Sequence, residues 1–247
     1  FLSPFAIRIF LALKNFIGLY EWKFVGYEWK AEFNPSGVGW DKDDIPLLQK
    51  QKWPHYKKVI QSTEPLGINH EDQIPYKTDD IVFHNMIMSF AYTAALPLIK
   101  NKEIKFLDWG GGIGHYGLLI KNLFADAHID YHCFDLPSYC KIGSEIWNKE
   151  ATFSSDKEQL LVPNYYDLVM ASSSIWYEPD WKAIFKRLLD STKAYLYITR
   201  MIFTKDAKSF VAIQRPSYMG HKTQYYFWAI NEEEFKQYSV SCGARLV

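Results

Sequence analysis

The stretch Phe106-Leu-Asp-Trp-Gly-Gly-Gly-Ile-Gly-His-Tyr-Gly117 decides how this chain is expected to fold. It begins as a short buried strand with an acid near its end, and a glycine-rich turn and the start of a helix follow. Glycines at 110, 112 and 114 permit positive φ and leave room for a ligand against the backbone. The expected helix, Tyr116 to Phe124, points its free N–H groups and positive dipole end at that ligand. This order of elements predicts a site for a nucleotide-like cofactor.

Two cofactors fit this loop. Gly112-Ile-Gly-His-Tyr-Gly117 has the G-x-G-x-x-G spacing of a dinucleotide site, with Asp135 where a ribose-binding acid is expected. The frame Leu107-Asp108-Trp109-Gly110-x-Gly112-x-Gly114 resembles instead the class I S-adenosylmethionine (SAM) methyltransferases, in which an acid precedes a G-x-G-x-G loop. Asp108 discriminates between them, because a carboxylate is unfavourable beside a pyrophosphate and favourable beside the ammonium and sulfonium of SAM. We therefore expect SAM as cofactor and S-adenosylhomocysteine (SAH) as product, with NAD as the alternative.

Composition limits the partners and the compartment. The chain has 247 residues, 48% of them hydrophobic, which suits one folded domain with an appendage. Its 28 basic and 28 acidic residues balance, which argues against a nucleic-acid partner. The three cysteines, 133, 140 and 242, form no C-x-x-C pair and have no metal-ligand spacing with histidine, so no metal is expected. Because N-x-S/T sites are also absent, we expect a cytoplasmic protein.

Residues 1–78 differ from the rest of the chain. They are rich in Trp, Tyr, Pro and Lys and show no strand alternation, so we expect an aromatic, mainly helical cap with one helix from Ile45 to Ser62. The apolar run Phe1 to Tyr20 is expected to be an amphipathic helix packed on the domain or on a partner subunit, and a dimer stays open. Contact of this run with a membrane surface is the less favoured alternative.

Residues 79–247 show the alternating strands and helices of a mostly parallel sheet with helices on both faces. A long helix, Ile81 to Lys100, is expected to start at a cap, Asp79 or Asp80. The predicted strands are 105–109, 129–134, 151–154, 168–171 and 194–199. Helices are predicted between them at 115–124, 138–148 and 180–189, and after the last of them at 231–239. A sixth strand is expected to begin at 244–247, so the closing antiparallel strands would be incomplete. The predicted fold class is α/β, Rossmann-like.

Cofactor-binding residues are expected just after the strands, because ligands of open parallel sheets lie beyond the carboxyl ends of the strands. Asp135 is placed to accept both ribose hydroxyls, and the family resemblance implies that a side chain at 155 or 156 accepts the adenine amino group. Each has a structural alternative, as a helix cap or a turn residue. The expected cofactor-binding residues are Asp108, Gly110, Gly112, Gly114, Asp135, Leu136, Ser155, Asp156, Ser172 and Ser173.

Methyl transfer to a hydroxyl or amine also needs a general base near the methyl group. His115 and Glu178 are the candidates, and each has a solvent-facing or helix-dipole alternative. The residues expected to contact the acceptor are Tyr116, Tyr177, Arg200 and His221, and Arg200 suits a phosphate or carboxylate. The aromatic residues expected to form a lid that stacks on a sugar are Trp22, Tyr27, Trp29 and Trp40.

Most of the chain also resembles a narrower family, the methyltransferases of bacterial surface-polysaccharide (O-antigen-like) gene clusters. The matching segments are 26–32, 37–41, 107–112, 167–174, 198–200, 212–214 and 226–231. The chain departs from the pattern at Thr199, where the family has an acid before Arg200. The resemblance implies methylation, chiefly of oxygen, on a small-molecule or saccharide acceptor. The alternatives are a non-catalytic SAM-binding protein and an NAD-dependent nucleotide-sugar enzyme.

Overall fold

The computed structural model describes residues 22–30, 32–33, 39–40, 42, 44–72, 74–99, 101–215 and 223–247. The expected helix within Phe1 to Tyr20 and the candidate His221 lie outside these ranges. A single 3₁₀ turn, Ile175–Tyr177, follows the fifth strand. The elements in chain order are β1 (Trp22–Gly26), α1 (Asp44–Ile60), α2 (Ile81–Leu98), β2 (Glu103–Trp109), α3 (His115–Leu123), β3 (His128–Phe134), α4 (Pro137–Trp147), β4 (Thr152–Ser154), α5 (Lys157–Leu160), β5 (Tyr166–Ser172), α6 (Trp181–Ser191), β6 (Thr192–Thr199), β7 (Phe203–Thr204), β8 (Phe210–Gln214), β9 (Tyr225–Asn231) and α7 (Glu232–Ser241).

The main sheet has five parallel strands in the order β4-β3-β2-β5-β6. The chain adds strands on one side of β2, then returns and adds β5 and β6 on the other side. This is the order of a Rossmann-like sheet, and it confirms the predicted α/β fold class. The order reverses between β2 and β5, so a crevice is expected beyond Trp109 and Ser172, where these two strands end.

Helices cover both faces of this sheet because neighbouring residues of β2 point to opposite sides. Phe106 packs in one core cluster with Phe90 of α2 and Leu119 of α3. Leu107 packs in the other with Leu188 of α6. All of these side chains are buried, and burial of each stabilises the fold by about 1.5–3 kcal/mol.

Local signals set the starts of two helices. The Asp80 carboxylate accepts hydrogen bonds from the N–H groups of Val82 and Phe83, so Asp80, one of the two predicted residues, is the N-cap of α2. Asp180 caps α6 through the N–H of Ala183. Such caps contribute about 1 kcal/mol each.

The carboxy-terminal part differs from the prediction. A second sheet has the order β1-β8-β9-β7, in which β8 pairs antiparallel with both β1 and β9. The predicted absence of strands in residues 1–78 is therefore wrong, because β1 lies there. In the described residues the main sheet has parallel strands alone, so the incomplete antiparallel closure stays a prediction. The predicted strand at 244–247 is also wrong, because α7 ends at Ser241, Gly243 has φ +92°, and the last three residues are exposed and pair with no strand of the described residues.

Helix α1 shares the main core, since Tyr56 and Ile60 belong to the same buried cluster as Phe106. The boundary at residue 78 stays a prediction. Helix α2 is long and apolar enough, by length and composition alone, to cross a membrane. Core helices meet the same criterion; in α2 the side chains of Ile87, Phe90 and Ala94 are buried and the others are exposed or half-buried.

Candidate functional site

A cavity of about 770 Å³ opens beyond the carboxyl ends of β2 and β5, at the point where the strand order reverses. Pockets that hold one drug-sized ligand span roughly 300–1,000 Å³, so the space is ample for a cofactor. Gly114, Ser155 and Asp156 are not among the lining residues. The predicted site residues that line it are Asp108, Gly110, Gly112, His115, Tyr116, Asp135, Leu136, Ser172, Ser173, Tyr177, Glu178 and Arg200.

The glycine loop is held by its own hydrogen bonds. The N–H groups of Gly110 and Gly111 donate to the carbonyl of Phe134 at 2.8 and 3.4 Å, and that of Gly112 donates to Asp135 Oδ2 at 2.7 Å. Gly110 and Gly112 have φ of +74° and +62°, the left-handed region that favours glycine. Gly114 has φ +98° and also serves packing, since a Cβ there would lie 2.5 Å from the Trp147 indole nitrogen.

Asp108 lies beneath this loop with only 1% of its surface exposed. Its Oδ2 accepts a hydrogen bond from the Tyr131 hydroxyl at 2.9 Å. Burial raises the pKa of Asp108 to about 7, the Tyr131 hydrogen bond opposes the rise, and the nearby Asp135 adds to it. A Cβ on Gly111 would lie 2.5 Å from the Asp108 carboxyl carbon, so position 111, which the G-x-G-x-G pattern leaves open, needs glycine here.

Asp135 fixes the loop and faces the cavity. Its two oxygens accept hydrogen bonds from the N–H groups of Gly112 and Leu136, both at 2.7 Å. Burial raises the pKa of Asp135 to about 6, and these two bonds limit the rise. It does not cap α4, whose N-cap is Leu136. A carboxylate has about four acceptor sites, so Asp135 retains capacity toward a ligand.

After β4 the structure departs from the prediction. Asp156 is the N-cap of the short helix α5, and its Oδ1 accepts a hydrogen bond from the Glu158 N–H at 2.9 Å. Ser155 is exposed. The capping bond turns the acid toward the backbone, and Lys157 faces the cavity instead. The Lys157 Nζ lies 2.6 Å from Glu178 Oε2. Glu178, one of the two candidate bases, is therefore held in an ion pair.

His115 lies at the first position of α3 with 2% of its surface exposed. Its ring stacks on that of His70 at 4.1 Å between centroids, and Tyr56 meets it edge-on at 4.8 Å. Its Nε2 is buried with no hydrogen-bond partner in the described ranges. Burial lowers the pKa of His115 far below its usual value, with help from His70 and Lys52, and burial lowers the pKa of His70 to about 4. Both rings are therefore neutral near pH 7.

Sequence reasoning did not identify His70, because it lies in the irregular segment after α1 and only the tertiary fold brings it to His115. It also did not identify Tyr225. That ring stacks on Trp40 at 4.8 Å and meets Tyr177 edge-on at 5.1 Å, and together the three form an aromatic wall of the cavity. Of the predicted lid residues, Trp22, Trp29 and Trp40 line the cavity, whereas Tyr27 does not and is 63% exposed.

No family model matches the chain, and no curated protein matches it. Among solved structures, one similar protein is from Galdieria sulphuraria and assigned as a sarcosine dimethylglycine methyltransferase, with 16% identity, a TM-score of 0.48, and coverage of 79% of this chain and 73% of that one. A second is the 1,6-didemethyltoxoflavin-N1-methyltransferase of Burkholderia thailandensis with bound SAH, with 12% identity, a TM-score of 0.42, and coverage of 88% and 87%. A third is a SAM-dependent methyltransferase from Clostridium acetobutylicum, with 13% identity, a TM-score of 0.42, and coverage of 64% and 78%. At such values the likeness assigns neither activity nor acceptor to this chain.

Within the described residues, no group of three or more His, Cys, Asp or Glu side chains is placed to hold a metal ion.

The cavity contains two ion pairs, Lys157–Glu178 and Glu71–Arg200, at N···O distances of 2.6 and 3.5 Å. The site therefore combines buried carboxylates, neutral imidazoles and charged pairs around one space.

Proposed function

We propose that this protein is a SAM-dependent methyltransferase that acts on a small-molecule acceptor. The observation that carries the proposal is the placement of Asp135, Asp108 and the glycine loop around one cavity at the switch point of a Rossmann-like sheet. Asp135 would accept the ribose hydroxyls, and Asp108 would lie near the cationic methionine part. Phe134, a half-buried ring that lines the cavity and stacks on the buried Trp109 at 3.8 Å, would offer an apolar surface to the adenine.

The hydrogen bonding of the loop argues against a dinucleotide. A pyrophosphate is held by free backbone N–H groups of the glycine loop and by the following helix N-terminus. Here the N–H groups of Gly110, Gly111, Gly112 and Gly114 all donate within the protein, and the last of these reaches the carbonyl of Gly111 at 3.0 Å. When ionised, the buried Asp108 adds negative charge below the loop. NAD is thus the poorer fit.

SAM supplies an activated methyl group, so the protein has mainly to align the acceptor and exclude water. His115 is the better of the two candidate bases, because its Nε2 is neutral and unpartnered among the described residues, whereas Glu178 is bound to Lys157. The depressed pKa of His115 makes it a weak base on its own. A negative charge brought nearby by an acceptor would raise that pKa.

A saccharide hydroxyl of a surface polysaccharide is the acceptor that we favour. The wall formed by Trp40, Tyr177 and Tyr225 presents ring faces and edges to the cavity, which suits stacking against a sugar. This finer assignment follows the resemblance of segments such as 226–231 to the methyltransferases of polysaccharide gene clusters.

Isothermal titration with SAH, and with NAD for comparison, tests the cofactor. Asp135→Asn should weaken SAH binding by about 30-fold, which corresponds to about 2 kcal/mol for charge-assisted hydrogen bonds. Asp126→Asn, an exposed carboxylate outside the cavity, is the matched control and should leave the affinity unchanged. Binding of NAD in place of SAH would refute the proposal. SAH binding without methyl transfer from labelled SAM to any saccharide or small-molecule fraction would favour a non-catalytic binding protein.

A further inference from the structure

Arg200 occupies a strained position at the edge of the cavity. It directly follows β6 and has φ +57°, a left-handed conformation that non-glycine residues adopt only at an energetic cost. Strain of this kind persists where the surrounding structure holds a side chain in place. The Arg200 side chain lines the cavity and is 26% exposed, so a ligand can reach it.

The partner of Arg200 holds it weakly. Its Nη2 lies 3.5 Å from Glu71 Oε2, and Glu71 is likewise 26% exposed. Charge-assisted N–H···O bonds are normally about 2.7–2.9 Å long, and arginine pairs best through two parallel bonds. Within the described part of the chain, this is the one ion pair of Arg200, and it is long. It leaves guanidinium donors available for a planar oxyacid, and Glu71 stands where such an acid would compete.

Besides the charged Glu71 and Lys52, the neighbours of Arg200 include two polar side chains that are neutral, His70 and Tyr116. The charge of Arg200 acts on both of them, and burial raises the pKa of Tyr116 to about 12, so this phenol stays protonated. Lys52, the other nearby cation, donates to the main-chain carbonyls of Glu71 and Asp72 and so holds the segment that carries Glu71. His115 lines the same cavity, and its buried Nε2 has no hydrogen-bond partner among the described residues.

We propose that the methyl acceptor carries a carboxylate, which displaces Glu71 from Arg200 and forms a paired contact with the guanidinium. The proposal rests on the proposed function, since the acceptor has to lie beside the cofactor in this cavity. A singly charged group fits better than a phosphate dianion, because one guanidinium and an adjacent Glu71 carboxylate give little surplus positive charge. With a saccharide acceptor, the acceptor class is a uronic acid.

Two substitutions separate this role from a structural one. Arg200→Gln removes the binding charge and should lower carboxylate affinity at least about tenfold. Glu71→Gln removes the competing charge and should raise it about three- to tenfold. If the ion pair only stabilised the fold, both substitutions would change the carboxylate affinity in the same direction. Arg245→Gln, at an exposed arginine outside the cavity, is the control and should change nothing.

The experiment is an NMR and calorimetric titration of wild type and variants, with and without saturating SAH. The probes are glucuronate and benzoate, their amides glucuronamide and benzamide, and glucose 1-phosphate. Preference for each carboxylate over its amide, lost in Arg200→Gln and strengthened in Glu71→Gln, supports the proposal. Equal binding of acid and amide in wild type and Glu71→Gln overturns it, and so does tighter binding of the phosphate. Failure of SAH to bind would instead refute the proposed function. If carboxylate binding still depended on Arg200 in that case, the carboxylate site would exist independently of the cofactor.

Discussion

Cofactor binding should depend on pH because two buried carboxyls have to ionise. In the free protein burial raises the pKa of Asp108 to about 7 and that of Asp135 to about 6. An ammonium and two ribose hydroxyls favour the ionised carboxylates, so bound SAH lowers both pKa values and binding releases protons. At pH 6.5 about three-quarters of Asp108 and one-quarter of Asp135 are protonated in the free protein, so roughly one proton is released.

The same values set the change in affinity. At pH 5.5 the need to ionise Asp108 weakens SAH binding about 30-fold, and the need to ionise Asp135 weakens it about fourfold. At pH 7.5 both factors are close to one. SAH should therefore bind about 100-fold more weakly at pH 5.5 than at pH 7.5. Asp108→Asn should reduce this pH dependence to about fourfold, since only Asp135 would remain to titrate.

Calorimetry from pH 5.5 to 7.5, in buffers with different ionisation enthalpies, measures both the affinity and the protons released. A flat affinity profile, or proton uptake near pH 6.5, would refute the assignment of these carboxylates to the cofactor. The stability of the free protein should show the opposite trend. Both folded pKa values lie above the ordinary value of 3.8, so the contribution of these groups falls as pH rises from about 4 to about 7.

Two further substitutions test the loop and the base. Gly111→Ala places a Cβ 2.5 Å from the Asp108 carboxyl carbon and 2.8 Å from Cys133 Sγ, so the loop has to shift and SAH affinity should fall by at least about tenfold. Titration calorimetry on a variant with an unchanged circular dichroism spectrum measures this, and unchanged affinity would contradict the assigned contact. His115→Gln should lower kcat by about 100-fold or more with little change in SAH affinity, because proton removal contributes about that much. An unchanged pH profile of kcat would exclude His115 as the base.

The main sheet was predictable from sequence because its strands are buried on both faces and read as apolar runs. Residues such as Phe106, Leu107 and Val169 give this signal directly. The second sheet gave no such signal. In β9 the side chains of Tyr225, Phe227 and Ala229 are buried while Tyr226 and Trp228 are half-exposed, so the alternation exists but is hidden when both faces are aromatic.

The cofactor half of the cavity was more predictable than the acceptor half. Asp108 lies next to the last residue of β2, and Asp135 directly follows β3. Because these strands are parallel neighbours, both acids lie at the same edge of the sheet. His70 and Glu71 come from an irregular segment about 40 residues before the glycine loop, and nothing in their local sequence indicates a site. Asp156 illustrates a third limit, because a polar residue after a strand can serve equally as a helix cap.

The two ion pairs in the cavity have different consequences for what can bind there. Lys157 and Glu178 lie 2.6 Å apart, and the Lys157 ammonium also lies 5.6 Å from the centre of the Trp109 ring, so this pair forms part of the wall beside the proposed adenine surface. Arg200 and Glu71 lie 3.5 Å apart, and both can be reached from the cavity. A ligand carboxylate gains little by competing for the short pair and more by replacing the long one, because the lost contact is weaker while the gained contact can be bidentate. The acceptor charge is therefore expected at Arg200, next to the neutral histidines, where it would raise their pKa values and make His115 a stronger base only when the acceptor is bound.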